Sequence, residues 1–419
     1  MPNKKYTFLL ITFLQTIGFL YGQTIGIDSL LQSIQKANPA LKMYDADIRS
    51  MEEAAKGARS WMPPEFGAGF WMTPYQSQYR KADDMGQPGM GSFMISAQQM
   101  FPNKRKQDAD AKYMEAMSSV EREKKGVTLN ELYALAKKNY YQWVILEKKL
   151  RVIEQDEQLL NFMIENAEIR FKNGLEKISA YYKAKAALGT LMNMKVMLQN
   201  EKIQKRILLN TLMNTDKMRE FAIDTTYFIK DFSTDLFDST SLANARSDIK
   251  AIDRDIQLTY LQQDAERTKL KPEFGVRYDH MFAWAKQPWQ FSLMGMVKIP
   301  FASWSSKMYK ANIESLKWKA ESLEQQKQMV INEAKGMAYG MYEEMETKKK
   351  QVRIFQSHII PALRKNYQTM LLGYEQNTEE MFMLFDAWET LNMTQLEYLD
   401  QLQQLLQLQV ELERLLEKK

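Results

Sequence analysis

From Asn103 to about Lys172 the chain reads as α-helix almost without punctuation. At 1.5 Å per residue, about seventy residues of helix span about 105 Å. No globular core needs an element of that length. Gly and Pro are sparse, at 17 and 11 of 419 residues, which favours long uninterrupted elements elsewhere too. A break at "KNG" (Lys172 to Gly174) leads into a second helical run to about Asn214. The long run therefore turns back on itself.

The same order occurs twice. In the first half, "GIDSLLQSIQKANPALKMYDADIRSMEEAAKGARSW" has Leu30, Leu31, Ile34 and Ala37 at helical spacing. Asp28 or Ser29 suits the N-cap, and Pro39 can restart the helix after a break at Asn38. The helix is expected to end before Pro63-Pro64. The period then changes to two. Phe66, Ala68, Phe70 and Met72 share one face, and Gly67, Gly69, Trp71 and Thr73 the other. A polar loop leads to "SFMISAQQMF", where Phe93, Ile95 and Ala97 oppose Ser92, Ser96 and Gln98.

In the second half a helical run from about Leu242 to Leu270 precedes Pro272. Phe274, Val276, Tyr278, His280, Phe282 and Trp284 then oppose Gly275, Arg277 and Asp279. After "AKQP", Trp289, Phe291, Leu293, Val297 and Ile299 oppose Gln290, Ser292 and Lys298. A long helix from about Ser305 breaks near "YEQN" (Tyr374 to Asn377), and a last helix runs from Thr378. The motif "PEFG" opens both strand regions, at Pro64 to Gly67 and Pro272 to Gly275, 208 residues apart (272 − 64). The reading is a signal peptide over 1–22 and two structural repeats. Repeat 23–241 has a hairpin at about 64–101, long helices at about 103–214 and a connector at about 215–241. Repeat 242–419 has a hairpin at about 272–301 and long helices at about 305–418.

Each strand has about the length of a membrane-spanning β-strand, about 9–11 residues. The aromatic faces suit lipid: Phe66, Phe70, Phe274, Tyr278 and Phe291, with Trp284 and Trp289 in an interfacial girdle. Ser92, Ser96, Gln98, Arg277, Asp279, Gln290, Ser292 and Lys298 suit a water-filled lumen. A sandwich strand with one buried face is the competing reading of any one segment. Four strands cannot close a barrel, which needs at least about eight, and open edges cannot exist in hydrocarbon. Three copies supply twelve.

The last helix carries two leucine rows. Leu405, Leu408, Leu412 and Leu415 form one, and Leu399, Leu402, Leu406 and Leu416 a second, interrupted by Gln409 and Glu413. Two offset rows allow a helix to meet a neighbour on each side, although a two-stranded coiled coil also satisfies them. Gly174 and Asn377, each three residues after an aromatic (Phe171, Tyr374), suit left-handed helix ends and mark two turns at the far tip.

"MPNKK" followed by "YTFLLITFLQTIGFLYG" reads as a cleavable signal, leaving Gln23 first. The net charge of +5 falls to about +3 without Lys4 and Lys5, too little to imply nucleic acid. The absence of cysteine excludes disulfides, zinc thiolates, iron–sulfur clusters and a cysteine nucleophile. With two His and no HExxH or GxSxG, an enzyme is not expected, and no cofactor is implied. Methionine is abundant, at 29 residues. Its thioethers suit Cu(I) or Ag(I), with Met294 and Met296 on the lumen face as weak candidates. Flexible apolar filling is the favoured reading.

The arrangement resembles the TolC family of outer-membrane efflux proteins, which includes the CusC- and OprM-like factors. The resemblance covers essentially the whole mature chain. It is most specific in "HIIPALRKNYQTMLLGYEQN", with Pro361 as a helix kink thirteen residues before Tyr374, and in "IRFKNGLEKISAYYKAKAAL". Asn377 replaces the family's Gly, and Ala180 and Met383 stand where an acidic residue is usual. The resemblance implies a mainly α chain with membrane β: a long coiled-coil α-helical barrel plus four transmembrane strands, closing as a twelve-stranded barrel in a homotrimer. It implies a passive exit duct in the outer membrane with a periplasmic helical domain. Its partners would be outer-membrane lipid, a periplasmic adaptor and an inner-membrane pump of the RND or ABC type. A duct dedicated to copper or silver is the alternative, and a periplasmic coiled-coil structural protein a further one.

Overall fold

The computed structural model describes residues 24–418, so the expected signal segment lies outside the described residues. In chain order the elements are β1 (Thr24–Ile25), α1 (Ile27–Ala37), α2 (Pro39–Lys56), β2 (Glu65–Trp71) and β3 (Ser92–Phe101). Then follow α3 (Lys104–Lys172), α4 (Ile178–Leu212), β4 (Ala222–Ile223), α5 (Ser239–Ala245) and α6 (Ser247–Thr268). The chain ends with β5 (Glu273–Ala283), β6 (Gln290–Lys298), α7 (Ser303–Ile354), a π-helical turn (Phe355–Ile359), α8 (Ile360–Glu375) and α9 (Met381–Leu415).

Several boundaries differ from the sequence expectation, each for a local reason. The first helix is capped at Gly26 without a side-chain bond, so Asp28 sits inside the first turn and serves the helix dipole instead. The break at Asn38 is as expected. Its amide donates to the Leu212 carbonyl at 2.9 Å, and its Oδ1 accepts from the Ala40 amide. An unforeseen counterpart breaks α5 from α6 at Arg246, which is 208 residues later (246 − 38). The helix before the first strand stops at Lys56, closed by a turn in which the Gly57 amide donates to the Ala54 carbonyl at 3.1 Å. Pro64 and Pro272 therefore start the strands rather than stop the helices. A residue without an N–H is tolerated at a strand's first positions. Met72 leaves the first strand because its φ is +47°. The last helix starts at Met381 rather than Thr378, whose amide and hydroxyl both bond the Gly373 carbonyl in the turn.

The chain divides into two compact units, each drawing on both halves of the sequence. One comprises residues 24–43, 125–247 and 331–418, and is helical apart from the short parallel pair β1–β4. Its core has three parts. In the first, α9 buries Leu399, Leu402, Leu405, Leu406, Leu412 and Leu415 against Ile145 of α3, Ala338 and Met345 of α7, and Phe237 before α5. Both leucine rows of α9 are thus covered within the chain. The second joins Leu160, Met163 and Ala167 of α3 to Ala184 and Leu191 of α4 and to Leu384 and Trp388 of α9. In the third, Tyr140 and Trp143 of α3 pack with Leu30 and Ile34 of α1 and Ile223 of β4. The Tyr140 hydroxyl faces the carbonyls of Asp224 at 2.8 Å and Ile25 at 3.3 Å, tying β1 to β4.

The other unit comprises residues 44–124 and 248–330. Its sheet is antiparallel, in the order β2-β3-β5-β6. In the same unit, Ile252 and Ile256 of α6 pack with Leu323 of α7. No helix among the described residues is long and apolar enough to cross a membrane.

Candidate functional site

The four-stranded sheet is the first candidate site. In an antiparallel pair, directly opposed residues point to the same face. Phe66 opposes Ala97, which opposes Tyr278, which opposes Leu293. Phe70 opposes Phe93, which opposes Phe282. Phe274 opposes Val297, and His280 opposes Phe291. These residues make one apolar face with little cover: Phe66 is 76% exposed, Phe70 73% and Phe291 70%. Trp284 lies one residue beyond β5. Its indole N–H donates to the Met90 carbonyl at 3.2 Å, and its ring meets Phe70 at 6.0 Å. Trp289 lies one residue before β6 and meets Phe282 at 5.1 Å. Both tryptophans gather where the second hairpin turns, through Ala285 and Lys286 at φ +58° and +68°.

The other face is polar. Gln98 opposes Arg277, which opposes Met294. Ser96 opposes Asp279, which opposes Ser292. Glu273 opposes Lys298, and Met281 opposes both Met94 and Gln290. Arg277 Nε donates to Asp279 Oδ1 at 2.9 Å, and Ser292 Oγ to Oδ2 at 3.3 Å. Asp279 is only 2% exposed, its charge held by those two groups. Ser92 also lies on this face, opposite Trp71 and Ala283. Gly67 leaves the room that Ser96 Oγ fills, 2.7 Å from where a Cβ would stand. At Gly275, Met100 and Met296 lean in from the two neighbouring strands, and a Cβ would collide with the Met100 sulfur. The two sheet edges, β2 and β6, each have a neighbour on one side only.

The second candidate is the pair of helical turns. Gly174 and Asn377 both have left-handed backbones, at φ +72° and +59°. The bonding is the same at each. The Gly174 and Leu175 amides reach the Phe171 and Arg170 carbonyls at 3.0 and 2.9 Å. The Asn377 and Thr378 amides reach the Tyr374 and Gly373 carbonyls at 3.2 and 2.9 Å. Arg170 links the two turns: its guanidinium lies 4.4 Å from the centre of the Tyr374 ring and donates to the Tyr374 carbonyl at 3.2 Å. Pro361 is the second residue after the π turn. There the Ile360 amide bonds the Phe355 carbonyl, five residues back. Proline offers no N–H to the Ser357 carbonyl and crowds it, so the turn ahead of it widens.

Two buried acids escaped the sequence reading. Glu413, which looked like an interruption of a leucine row, is 3% exposed. Lys137 Nζ donates to its Oε2 at 2.5 Å. Lys230 Nζ lies 2.7 Å from Oε1 but off the hydrogen-bonding direction. Beside it, Gln409 Oε1 accepts from the Lys230 amide at 2.9 Å. Asp156 is 8% exposed. It accepts from the Trp388 indole N–H at 2.9 Å, while its Oδ2 has no partner. Burial pushes its carboxyl up to about 6, against the opposing pull of that bond. A lone polar letter in a helical run gave no sign of either site. Among the described residues, no three His, Asp or Glu side chains gather as a metal site.

Paired very long helices, joined to an open sheet with one aromatic and one polar face, have the fold of helical-barrel outer-membrane channels with a membrane β-barrel. Residues 30–215 are similar to the family described as outer membrane efflux protein, and solved outer-membrane channels share the fold. The outer-membrane channel OprN superposes with a TM-score of 0.73 at 14% identity, covering 94% of this chain and 90% of that one. VceC, an outer membrane protein from Vibrio cholerae, gives 0.72 at 13% identity, covering 93% and 95%. CusC, whose structures concern folding and transmembrane channel formation, gives 0.72 at 12% identity, covering 94% and 92%. No curated protein sequence matches the chain significantly.

Proposed function

We propose that this chain is one of three identical subunits of an outer-membrane efflux duct, passive in itself and fed by an inner-membrane pump through a periplasmic adaptor. The carrying observation is the open sheet, with two bare edges and one exposed aromatic face. Such a sheet is unstable in water and impossible in lipid until its edges are paired. Edge-to-edge pairing of β6 with β2 of the next copy closes twelve strands and leaves none bare.

In that barrel Phe66, Phe70, Phe274, Tyr278 and Phe291 face lipid, with Trp284 and Trp289 at the interface. Ser92, Ser96, Gln98, Arg277, Asp279, Gln290, Ser292 and Lys298 face the lumen. The repeats 23–241 and 242–419 each supply one hairpin and one helix pair. Gly174 and Asn377 form the periplasmic tip that an adaptor meets, and the pump is of the RND or ABC type. A dedicated copper or silver duct is the weaker reading, because Met100 and Met296 both lean over Gly275 as apolar filling does.

The test is to express the full chain with its leader, fractionate membranes and measure the detergent-extracted mass and the conductance in planar bilayers. A trimer in the outer membrane that conducts ions is expected. A soluble, monomeric mature chain defeats the proposal.

A further inference from the structure

Asp156 is a buried acid that the duct reading does not use. It lies on α3, within the contact that also holds Leu160, Met163 and Ala167, Leu384 and Phe385 of α9, and Tyr374 beside the Asn377 turn. Trp388, its one hydrogen-bond donor, packs on Phe385 at 5.2 Å.

The groups around it leave a negative charge unanswered. On its own helix, neighbouring Glu157 is engaged with Lys195 of α4 at 2.7 Å. From α8 comes Tyr367, pushed up to about 12 by burial first and then by the Asp156 charge. From α9 come Trp388 and, one turn on, Asn392, whose buried Oδ1 also lacks a donor. The two helices run antiparallel, with Lys149 against Asp400 and Asp156 against Trp388. Among the described residues, Asp156 has no ion-pair partner. Asp156 Oδ2 is thus an orphaned acceptor, and a proton there removes the charge that its surroundings leave unanswered.

We propose that Asp156 is a proton-binding site that sets how firmly the helix ends beside the Gly174 and Asn377 turns stay packed. Protonated, the carboxyl is a neutral member of an apolar contact. Ionised, it favours any opening that lets water reach it. An acid whose value is higher folded than open loses protons on opening, so opening becomes easier as pH rises through the interval between the two values. Here that interval runs from 3.8 to about 6. The effect is complete above about pH 7. It does not require the duct reading, since local opening is defined for whatever assembly the chain forms.

The experiment is hydrogen–deuterium exchange of the full-length protein in detergent, corrected for intrinsic rates, comparing wild type with Asp156→Asn from pH 5 to 8. The readout is peptides covering 157–172 and 381–392. The wild-type-to-variant ratio of opening should rise about tenfold from pH 5 to pH 7 and then level off. Peptides from the sheet should not respond. Trp388→Phe is the second variant. It removes the only donor, so its opening should exceed that of the wild type above pH 6. A flat ratio across this range, or Trp388→Phe opening no faster than wild type, overturns the proposal.

Discussion

Glu413→Leu is the most demanding test of the helical core. The substitution leaves Lys137, whose side chain is 9% exposed, without its 2.5 Å carboxylate partner. Removing one member of a buried ion pair costs about 3–5 kcal/mol, because the other charge stays desolvated and unpaired. Lys230 adds little to this figure. Its side chain is 47% exposed, and pairs of that kind contribute about 0–1 kcal/mol. Lys137 can also recover some water through the neighbouring cavity lined by Asn130, Tyr133 and Arg414. We therefore expect a loss of about 3 kcal/mol. With about 2 cal/mol/K of unfolding entropy per residue, that lowers the melting temperature by roughly 4 °C. The assay is thermal unfolding followed by circular dichroism at fixed protein and detergent concentration. The informative comparison is the double variant Lys137→Met with Glu413→Leu. Replacing both charges by apolar groups of similar volume is near neutral, so the double variant should recover most of the lost stability. If its loss equals the sum of the two single losses, the charges act independently and the pairing argument is refuted.

Four further outcomes follow from the geometry. Gly275→Val should lower the yield of assembled protein, since its branches meet the Met100 sulfur, and Met100→Ala should restore part of it by opening that space. Asn377→Gly should be neutral or slightly stabilising, whereas Gly174→Ala and Asn377→Ala should each lose about 1 kcal/mol in thermal unfolding, the cost of a left-handed alanine. Pro361→Ala should return the Phe355–Ile359 turn to α-helix in a crystal structure, because the donor missing opposite Ser357 is restored. Arg277→Ser should shift the anion-to-cation permeability ratio of the reconstituted protein towards cations. It frees Asp279 to act as an unneutralised charge on the polar face.

What could be read in advance had a local cause. Phe66 to Phe70 alternate because a strand has period two, and that signal needs no knowledge of partners. Gly174 was legible because few other residues adopt φ +72° cheaply, and Asn377 because asparagine is the next most tolerant. The missing features depend on contacts between distant segments. Strand β1 is two residues long and exists only because Ala222–Ile223 lies beside it. Glu413 finds Lys137 across 276 residues of sequence, and Asp156 finds Trp388 across 232. A buried charge and a solvated one are the same letter in a helical run. Only tertiary packing tells them apart.

The lengths of matching elements show where the two halves were free to diverge. The hairpin helices α4 and α9 both have 35 residues, and their starts and ends are each 203 residues apart (381 − 178 and 415 − 212). The ends of the preceding helices keep the same offset (375 − 172). Upstream of the turns the match fails. α3 has 69 residues, while the helical path from Ser303 to Glu375 has 73 in pieces of 52, 5 and 16. Four extra residues rotate a straight α-helix by about 400°, a full turn and about 40° more. Left uncorrected, that excess would carry the apolar face of α8 off its partners. A π turn winds fewer degrees per residue than an α turn, so the Phe355–Ile359 segment takes rotation out where it is in surplus. Pro361 fixes the place at which this happens, and the length difference is the reason a widened turn is useful there. The turns at Gly174 and Asn377 can then keep the same pair of backbone amide bonds.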